Sequence, residues 1–233
     1  MIMHMKILFL NAWNAQLHDD LAAYITSEAR DTDIFCFQEA YDDMKSLCDA
    51  LLTDFTRYAD YKYVTEDDNF PQVTYVRKGI SVVSSGSILQ DKSQTGLGLY
   101  VETEVRGKHF FICNFHGMSR PVDKLDDPNR ISQSKALIES FVGKRQVIIG
   151  GDFNLFPDTE SIQMFEKQGY RDLIKEYKVK TTRNQIAWDM YPGHEQYYSD
   201  YVFISSDIRL ERFEVIDNKV SDHLPLIVVI DAA

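Results

Sequence analysis

One stretch, Gln146 to Pro157, constrains the fold more than any other part of the chain. It begins with the apolar, β-branched run 147–149, which is typical of a strand buried on both faces. Two glycines end that run, and a carboxylate and an amide, Asp152 and Asn154, follow two positions apart. If the backbone stays extended, both polar side chains lie on one side of the strand and Phe153 lies on the other. Polar turns also use Gly, Asp and Asn, so this stretch alone leaves a turn and a functional site equally open.

The same design, an apolar strand with a polar side chain at its tip, recurs along the chain. The other tip residues are Asn11, Glu39, His116, Asp200, Asp222 and His223. The strands that lead to the first two are separated by one amphipathic helix, and a strand–helix–strand unit implies a right-handed crossover between parallel strands. We therefore expect Asn11 and Glu39 to emerge at the same edge of one sheet.

The remaining pattern mixes strands and helices without strict alternation. Short segments broken by Gly, Asn and Pro between Tyr58 and Val105 predict an antiparallel meander, with an exposed loop at 67–71. A later helix has clear boundary signals, because Asp127 can cap it, Pro128 suits its first turn and Gly143 follows its last turn. About a dozen strands and a few helices predict an α+β fold with two sheets packed face to face and helices outside.

Length and charge narrow the classes of function. A chain of 233 residues fits one domain, residues 1–233, with a large core. The net charge of −11 and the pI near 5.0 argue against sequence-independent adhesion to nucleic acid, although a local basic patch or a bound cation can still attract phosphate. The three cysteines lie far apart in apolar runs, and no signal peptide or membrane span is visible. We expect buried thiols and a soluble, cytoplasmic protein.

The strand-tip residues have the chemistry of a hard-ligand metal site, because carboxylates, amides and imidazoles occur there without cysteine. Oxygen ligands such as those of Glu39 and Asp222 favour Mg²⁺ or Mn²⁺ and leave room for water and a substrate phosphate in the coordination shell. No H-E-x-x-H motif occurs in the sequence, so zinc is disfavoured.

Six short motifs occur in one order along nearly the whole chain. They are Leu10–Trp13, Phe37–Glu39, Asn114–His116, Gly151–Asn154, Ser199–Val202 and Ser221–Pro225. Together they resemble the endonuclease/exonuclease/phosphatase superfamily, which includes deoxyribonucleases, abasic-site endonucleases, inositol polyphosphate 5-phosphatases, sphingomyelinases and tyrosyl-DNA phosphodiesterases. The resemblance implies a four-layer α/β-sandwich, in which two packed mixed β-sheets are flanked by helices.

The resemblance also implies a role for each strand-tip residue. Glu39 is similar to the principal metal ligand of the family, and Asn11 and Asp222 are expected to complete the metal site. Asp152 resembles the residue that orients or deprotonates the attacking water, and Asn154 resembles its partner in holding the phosphate. Mg²⁺ or Mn²⁺ is thus the implied cofactor.

Two histidines complete the implied catalytic set. His223 resembles the family histidine that contacts the scissile phosphate, as a base or as a phosphate stabiliser, and Asp200 resembles the carboxylate that orients it. His116 resembles a second phosphate-contacting group or a general acid. Two arginines, Arg120 and Arg183, are candidates for contacting a second phosphate or a leaving group.

Other interpretations remain open for single residues. A lone histidine at a strand end, such as His116, is more often structural, Asp200 alone fits a strand cap, and Asn11 alone fits a turn. Arg130 and Gln133, three positions apart near the start of a predicted helix, are expected to make structural or supporting contacts. The catalytic interpretation therefore depends on the set and not on any one member.

The leading hypothesis is a Mg²⁺-dependent phosphoesterase that hydrolyses a phosphodiester, or a phosphomonoester, through attack of an activated water. The acidic charge favours a small molecule or a lipid head group as substrate, and a DNA or RNA nuclease of the same family is the alternative. A catalytically silent binding module with the same fold is an alternative from another class. We expect a monomer without stable membrane insertion.

Overall fold

A computed structural model of the chain describes residues 4–60, 63–65, 68–69, 71–89 and 96–233. The strands are β1 (His4–Asn11), β2 (Ile34–Gln38), β3 (Phe55–Asp60), β4 (Tyr63–Thr65), β5 (Asp68–Asn69), β6 (Gln72–Arg77), β7 (Ser81–Ile88), β8 (Leu97–Val105), β9 (Lys108–His116), β10 (Val147–Asp152), β11 (Tyr170–Asp172), β12 (Asp200–Ser205), β13 (Leu210–Val215) and β14 (Leu226–Asp231). The helices are α1 (His18–Glu28), α2 (Asp42–Leu51), α3 (Pro128–Glu139), α4 (Glu160–Lys167), α5 (Leu173–Glu176) and α6 (Gln185–Met190), and a 3₁₀ helix occupies Trp13–Ala15.

Most strands belong to two six-stranded sheets of mixed direction. The first sheet has the order β13-β14-β1-β2-β6-β3, and the second has the order β11-β12-β10-β9-β8-β7. β1 and β2 run parallel, as their connection through α1 predicts, and β9 and β10 are the parallel pair of the second sheet. Each sheet therefore has a parallel pair at its centre, and antiparallel strands lie on both sides of it.

The two sheets pack face to face around a large hydrophobic core. Side chains of β1 alternate, so Ile7 and Phe9 enter that core, whereas Leu8 and Leu10 join a second cluster with α1 and α2. Gly150 of β10 packs directly against the other sheet, because a Cβ atom there would stand 2.9 Å from the Phe9 ring, closer than side chains pack.

Helices cover the outer faces of both sheets. Leu21 of α1 and Met44 of α2 are fully buried against the first sheet. On the second sheet, the Phe165 ring of α4 stacks on the Phe203 ring of β12, with centroids 4.1 Å apart. Helix α3 begins as predicted, since Asp127 accepts hydrogen bonds from two N–H groups of its first turn and Pro128 is its first residue. The predicted four-layer sandwich is thus confirmed.

The predicted single meander between Tyr58 and Val105 is wrong. β3 and β6 pair in the first sheet, whereas β7 and β8 pair in the second, so the chain crosses between the sheets after β6. Residue patterns identify a strand but do not specify which of two sheets it joins. In the predicted loop at 67–71, Asp68–Asn69 pairs with β4 as strand β5, and residues 67 and 70 lie outside the described residues.

The cysteines lie in the interior, and the described helices are short. Cys36, Cys48 and Cys113 are free and buried, as predicted, and burial raises the pKa of each thiol. Among the helices that the structure describes, none has the length and apolar character needed to cross a membrane.

Candidate active site

Strand register brings three of the predicted residues into one row. Asp152 at the end of β10 lies opposite His116 on β9 and opposite Asp200 on β12. All three residues are buried, with at most 4% of their surface exposed. Directly opposed side chains in neighbouring strands lie about 5 Å apart, so three strand tips form one polar row at an edge of the second sheet.

Asp152 lies at the centre of this row, and its two oxygens have different partners. Oδ1 accepts hydrogen bonds from the Ser199 hydroxyl at 2.5 Å and from the Asn154 backbone N–H at 2.9 Å. Oδ2 accepts from the Asn11 amide at 3.0 Å and lies 3.7 Å from Nε2 of His223. Two hydrogen bonds therefore hold Oδ1 of Asp152. Oδ2 accepts one hydrogen bond, from an amide, and has an imidazole nearby.

The charge of Asp152 is stabilised by its surroundings. Burial raises the pKa of this carboxyl, but electrostatic interactions with His223, His116 and Lys124 and the hydrogen bond from Ser199 lower it more. The net pKa of Asp152 lies well below the usual carboxyl range. Asp152 is consequently an anion at neutral pH.

The backbone turns immediately after Asp152 instead of staying extended. Asn154 has a φ of 55°, and the bond from its N–H to the side chain of Asp152 closes an Asx turn. The condition of an extended backbone is thus not met at Asn154, whereas Phe153 points into the core and is fully buried. The stretch therefore forms a turn, and both polar residues of that turn line the cleft described below.

Asn11 links the tips of the two sheets. Its Nδ2 donates to Oε1 of Glu39 at 3.1 Å as well as to Asp152, and its Oδ1 accepts from the Trp13 N–H at 3.1 Å. Asn11 and Glu39 emerge at the same edge, as predicted from the parallel strands β1 and β2. In this orientation Asn11 presents its amide nitrogen, and not its oxygen, to the two carboxylates.

Glu39 has the environment of a ligand for a hard cation. It is half-buried in the cleft, with a φ of 51°, and accepts a hydrogen bond from Asn11. Within the part of the chain that the structure describes, no Lys, Arg or His nitrogen lies within 4.0 Å of its carboxylate. A carboxylate whose charge is not neutralised by protein fits the oxygen-ligand chemistry of Mg²⁺ or Mn²⁺.

His223 is oriented by Asp200. Nδ1 of His223 lies 2.9 Å from both oxygens of Asp200, and because a carboxylate can only accept, Nδ1 carries the proton of this bond. Burial and Arg183 lower the pKa of His223, but the three surrounding carboxylates raise it more, so its net pKa is raised. Burial raises the pKa of Asp200.

Asp222 has a partner that the sequence does not predict. Nη2 of Arg183 donates to Oδ2 of Asp222 at 2.6 Å, and Nε donates to the Asp222 backbone oxygen at 3.2 Å. The Arg183 backbone also pairs with that of His223. Of the two arginine candidates, Arg183 thus lies in the site, whereas Arg120 is exposed and does not line the cleft.

A second group of ligand atoms is also close enough for a metal. One atom from each of Asp152, Asp200 and His223 lies within 4.8 Å of the others. However, Asp200 and His223 are already engaged with each other by a direct hydrogen bond. Glu39, by contrast, has no such basic partner among the described residues, and it is linked to Asp152 through Asn11.

Five of the predicted site residues line a cleft of about 750 Å³, namely Glu39, Asp152, Asn154, Asp222 and His223, whereas Asn11, His116 and Asp200 are not among its lining residues. The lining includes Trp13, Glu39, Lys124, Asp152, Asn154, Phe156, Tyr191, Asp222 and His223. Val122 and Gln196 lie on two segments that line the cleft. A hydrogen bond joins these segments, in which Nε2 of Gln196 donates to the Val122 carbonyl at 2.8 Å. The cleft therefore combines a charged floor with partly apolar walls.

Two residues of the site escape sequence-based prediction. Lys124 is buried, and its Nζ donates to Oγ of Ser199 at 2.8 Å and to the Tyr198 carbonyl at 3.4 Å. Burial lowers the pKa of Lys124 to about 8. Ser199 is next to Asp200 in the motif Ser199–Val202, and this position is only weak evidence of a role in the site. Lys124 lies in an irregular loop, where no periodic pattern identifies it.

Arg130 and Gln133 hold the loop that follows β9, in the supporting role expected for them. Arg130 is fully buried and donates to the backbone carbonyls of Leu125, at 2.6 Å, and of Pro121. Oε1 of Gln133 accepts from the Met118 N–H at 3.0 Å. The loop that contains Lys124 is thereby fixed at both ends.

The six sequence motifs between Leu10 and Pro225 lie almost entirely within a match to a known family. A profile of the endonuclease/exonuclease/phosphatase family matches residues 9–223, which is most of the chain. The chain belongs to this family. The resemblance carried by the six motifs is thereby confirmed. A comparison with curated protein sequences returned no match.

Solved structures share the fold of this endonuclease/exonuclease/phosphatase family member. A family protein from Bacteroides thetaiotaomicron has a TM-score of 0.75 at 18% identity, with 97% of each chain covered. The human Nocturnin catalytic domain, solved with a bound sulfate anion, has a TM-score of 0.74 at 17% identity, with 98% of this chain and 93% of that chain covered. A mannosyl-6-phosphatase from B. thetaiotaomicron has a TM-score of 0.74 at 18% identity, with 96% and 98% covered.

Proposed function

We propose that the protein is a metal-dependent phosphoesterase that hydrolyses a phosphodiester, or a phosphomonoester, with water as the nucleophile. The observation that carries this proposal is the convergence of Glu39, Asp152 and the His223–Asp200 pair on one cleft. An anionic ligand, a buried carboxylate and an oriented imidazole are the groups that hydrolysis of a phosphate ester requires. The family fold supports the same reaction class.

Glu39 is the proposed first ligand of a divalent cation, with Asn11 and Asp222 beside it. When bound, Mg²⁺ or Mn²⁺ supplies Lewis acidity toward a phosphate oxygen. Asn11 bridges Glu39 and Asp152 through its amide nitrogen, so it also keeps two carboxylates together that would otherwise repel each other. Arg183 forms an ion pair with Asp222, and this ion pair weakens the attraction of the Asp222 carboxylate for a metal cation.

Asp152 is the proposed group that orients or deprotonates the attacking water. Its Oδ1 is occupied by Ser199 and the Asn154 N–H, which leaves Oδ2 as the oxygen directed to His223 and Asn11. Because its pKa is held low, Asp152 is ionised and ready to accept a hydrogen bond from water.

His223, His116 and Asn154 are the proposed contacts to the phosphate. Asp200 holds the proton on Nδ1 of His223 and raises the pKa of the ring, which favours an imidazolium that donates from Nε2 to a phosphate oxygen. His116, whose Nε2 lies 3.9 Å from Oδ2 of Asp152, is proposed as a second phosphate contact or as the general acid. Donors fixed before the reaction stabilise charge that grows in the transition state.

The substrate that fits best is compact. The formal net charge of −11 opposes the many phosphate contacts that a polynucleotide requires. The partly apolar walls and the volume of about 750 Å³ suit a small phosphoester or a lipid head group. A nuclease of the same family is the alternative within the class.

Hydrolysis of bis-p-nitrophenyl phosphate tests the proposal. We expect turnover with Mg²⁺ or Mn²⁺ that EDTA abolishes and that added cation restores. A parallel assay on supercoiled plasmid, inositol phosphates and phospholipids separates small-molecule, lipid and nucleic-acid substrates. Absence of hydrolysis across this panel, together with no calorimetric Mg²⁺ or Mn²⁺ binding, would instead support a silent binding module.

A further inference from the structure

Lys124 is a buried cation in the cleft to which the family motifs give no role. Only 4% of its surface is exposed, and it is the single lysine among the described residues that line the cleft. Burying an ammonium group is costly unless hydrogen bonds compensate it, and its two neighbours are Ser199 and the Tyr198 carbonyl. A buried lysine beside reacting groups is a candidate for a function in the reaction.

The backbone around Lys124 is held firmly in an unfavourable conformation. Its φ is 58°, in the left-handed region where residues with a Cβ atom are uncommon. The Lys124 carbonyl accepts the Phe156 N–H at 3.0 Å, and Arg130 holds the carbonyl of Leu125. Strain of this kind persists only where surrounding contacts impose it. Glycine would adopt this φ at lower cost, so the presence of a lysine side chain calls for a reason.

The hydrogen bonds that join Lys124 to Asp152 have only one possible direction. An ammonium group has protons but no lone pair, so Oγ of Ser199 must accept from Nζ at 2.8 Å. The single hydroxyl proton of Ser199 then remains to donate to Oδ1 of Asp152 at 2.5 Å. Lys124 thus orients the hydroxyl that holds one oxygen of the carboxylate.

We propose that Lys124 is a positioning residue, which acts through Ser199 to hold Asp152 in the orientation that prepares the attacking water. This inference rests on the proposed function of Asp152 in hydrolysis. In this role Lys124 acts on the chemical step, through its hydrogen bond to Ser199 and the bond from Ser199 to Asp152. Loss of a supporting residue of this type typically costs about 10- to 100-fold in activity.

The test is a mutant cycle on bis-p-nitrophenyl phosphate hydrolysis with Mg²⁺. Lys124→Met and Ser199→Ala are each expected to lower kcat about 10- to 100-fold with KM changed less than about two-fold. The double variant should be no worse than the weaker single variant by more than about two-fold, because both changes break one chain of hydrogen bonds. Lys124→Gly, which suits the left-handed backbone, controls for folding and should lose as much kcat as Lys124→Met.

A matched control is Lys78→Met. Lys78 also donates to a backbone carbonyl, that of Thr53 at 2.7 Å, but at the surface, so its replacement should leave kcat unchanged. Wild-type kcat in the Lys124 variants, a rise in KM alone, or losses that multiply in the double variant would each overturn the positioning role. A wild-type protein that hydrolyses no ester overturns the proposed function as well, so the two failures are distinguishable.

Discussion

Two buried polar networks lie close together on the same strands, and they are built differently. The interior network consists of amides: Nε2 of Gln38 donates to Oδ1 of Asn114 at 2.6 Å, and Nδ2 of Asn114 donates to the carbonyls of Phe37 and Val73 at 3.1 and 3.2 Å. The tip network lies one or two residues farther along the chain and contains Glu39 and His116, of which Glu39 lines the cleft.

The interior network and the tip network differ in charge and in the property of the protein that each supports. The amides of Gln38 and Asn114 are neutral and join the two sheets, so they specify how the sheets pack. The tip groups are ionisable and are balanced against one another, as in the short contact between His223 and Asp200. We therefore expect changes in the interior network to affect folding, and changes in the tip network to affect chemistry.

The largest effect is expected at His223. Replacing it by alanine should lower kcat/KM for a phosphodiester about 1,000-fold, because the oriented imidazole is lost; the comparison is made per folded molecule, because the buried Asp200 loses its partner. His109→Ala is the matched control, since His109 lies at the surface near the start of β9 and pairs with Glu102. Equal activity of the two variants would remove His223 from the mechanism.

Asn114→Ala should show the opposite pattern. Loss of the amide leaves Nε2 of Gln38 without its partner between the sheets, and we expect the unfolding free energy to fall by about 3 kcal/mol. Activity per folded molecule should be retained. Urea unfolding followed by circular dichroism measures this loss, and Asn129→Ala on the exposed start of α3 serves as the comparison. A stable but inactive Asn114 variant would contradict the division between the two networks.

Lys124 gives a pH-dependent contribution to stability in the metal-free protein. Its pKa is lowered from 10.5 to about 8 on folding, so between these values the unfolded chain binds more protons and stability rises with pH. From about pH 8 to pH 9.5 this contribution amounts to roughly 2 kcal/mol. Chemical unfolding of wild type and Lys124→Met at both pH values should reveal the rise in wild type alone; equal slopes would show that the ammonium is not buried.

An effect similar in size to that of Lys124 is expected at Asp172, which caps α5 and is not among the residues that line the cleft. Burial raises the pKa of Asp172 to about 6, above the unfolded value of 3.8, so the folded state binds the extra proton between these values. Stability from this group is present below about pH 4 and falls by about 1 kcal/mol per pH unit toward pH 6. Asp172→Asn, which keeps an acceptor for the cap, should remove this fall, and thermal melts between pH 4 and 6 measure it.

Much of the site was predictable because the signal is local. Glu39, Asp152 and His223 each lie at the tip of an apolar strand, and parallel pairing of β1 with β2 follows from the intervening helix. The four-layer sandwich followed from the mixture of strands and from the resemblance, and the structure confirms it.

The remainder depends on contacts that no local pattern encodes. The Arg183–Asp222 ion pair joins positions 39 apart, and Lys124 reaches Ser199 across 75 positions. The crossing between sheets after β6 is likewise a tertiary choice, because strands of either sheet have the same alternation. The amide orientation of Asn11 is fixed only by its neighbours on both sheets.

The most direct test of the central claim is turnover of bis-p-nitrophenyl phosphate with Mg²⁺ by wild type and by the Glu39→Ala/His223→Ala double variant. These residues come from different strand tips of the cleft and share no described hydrogen bond with each other. The account predicts EDTA-sensitive hydrolysis by wild type and a loss of at least about 1,000-fold in the folded double variant. Unchanged turnover in the double variant would contradict it.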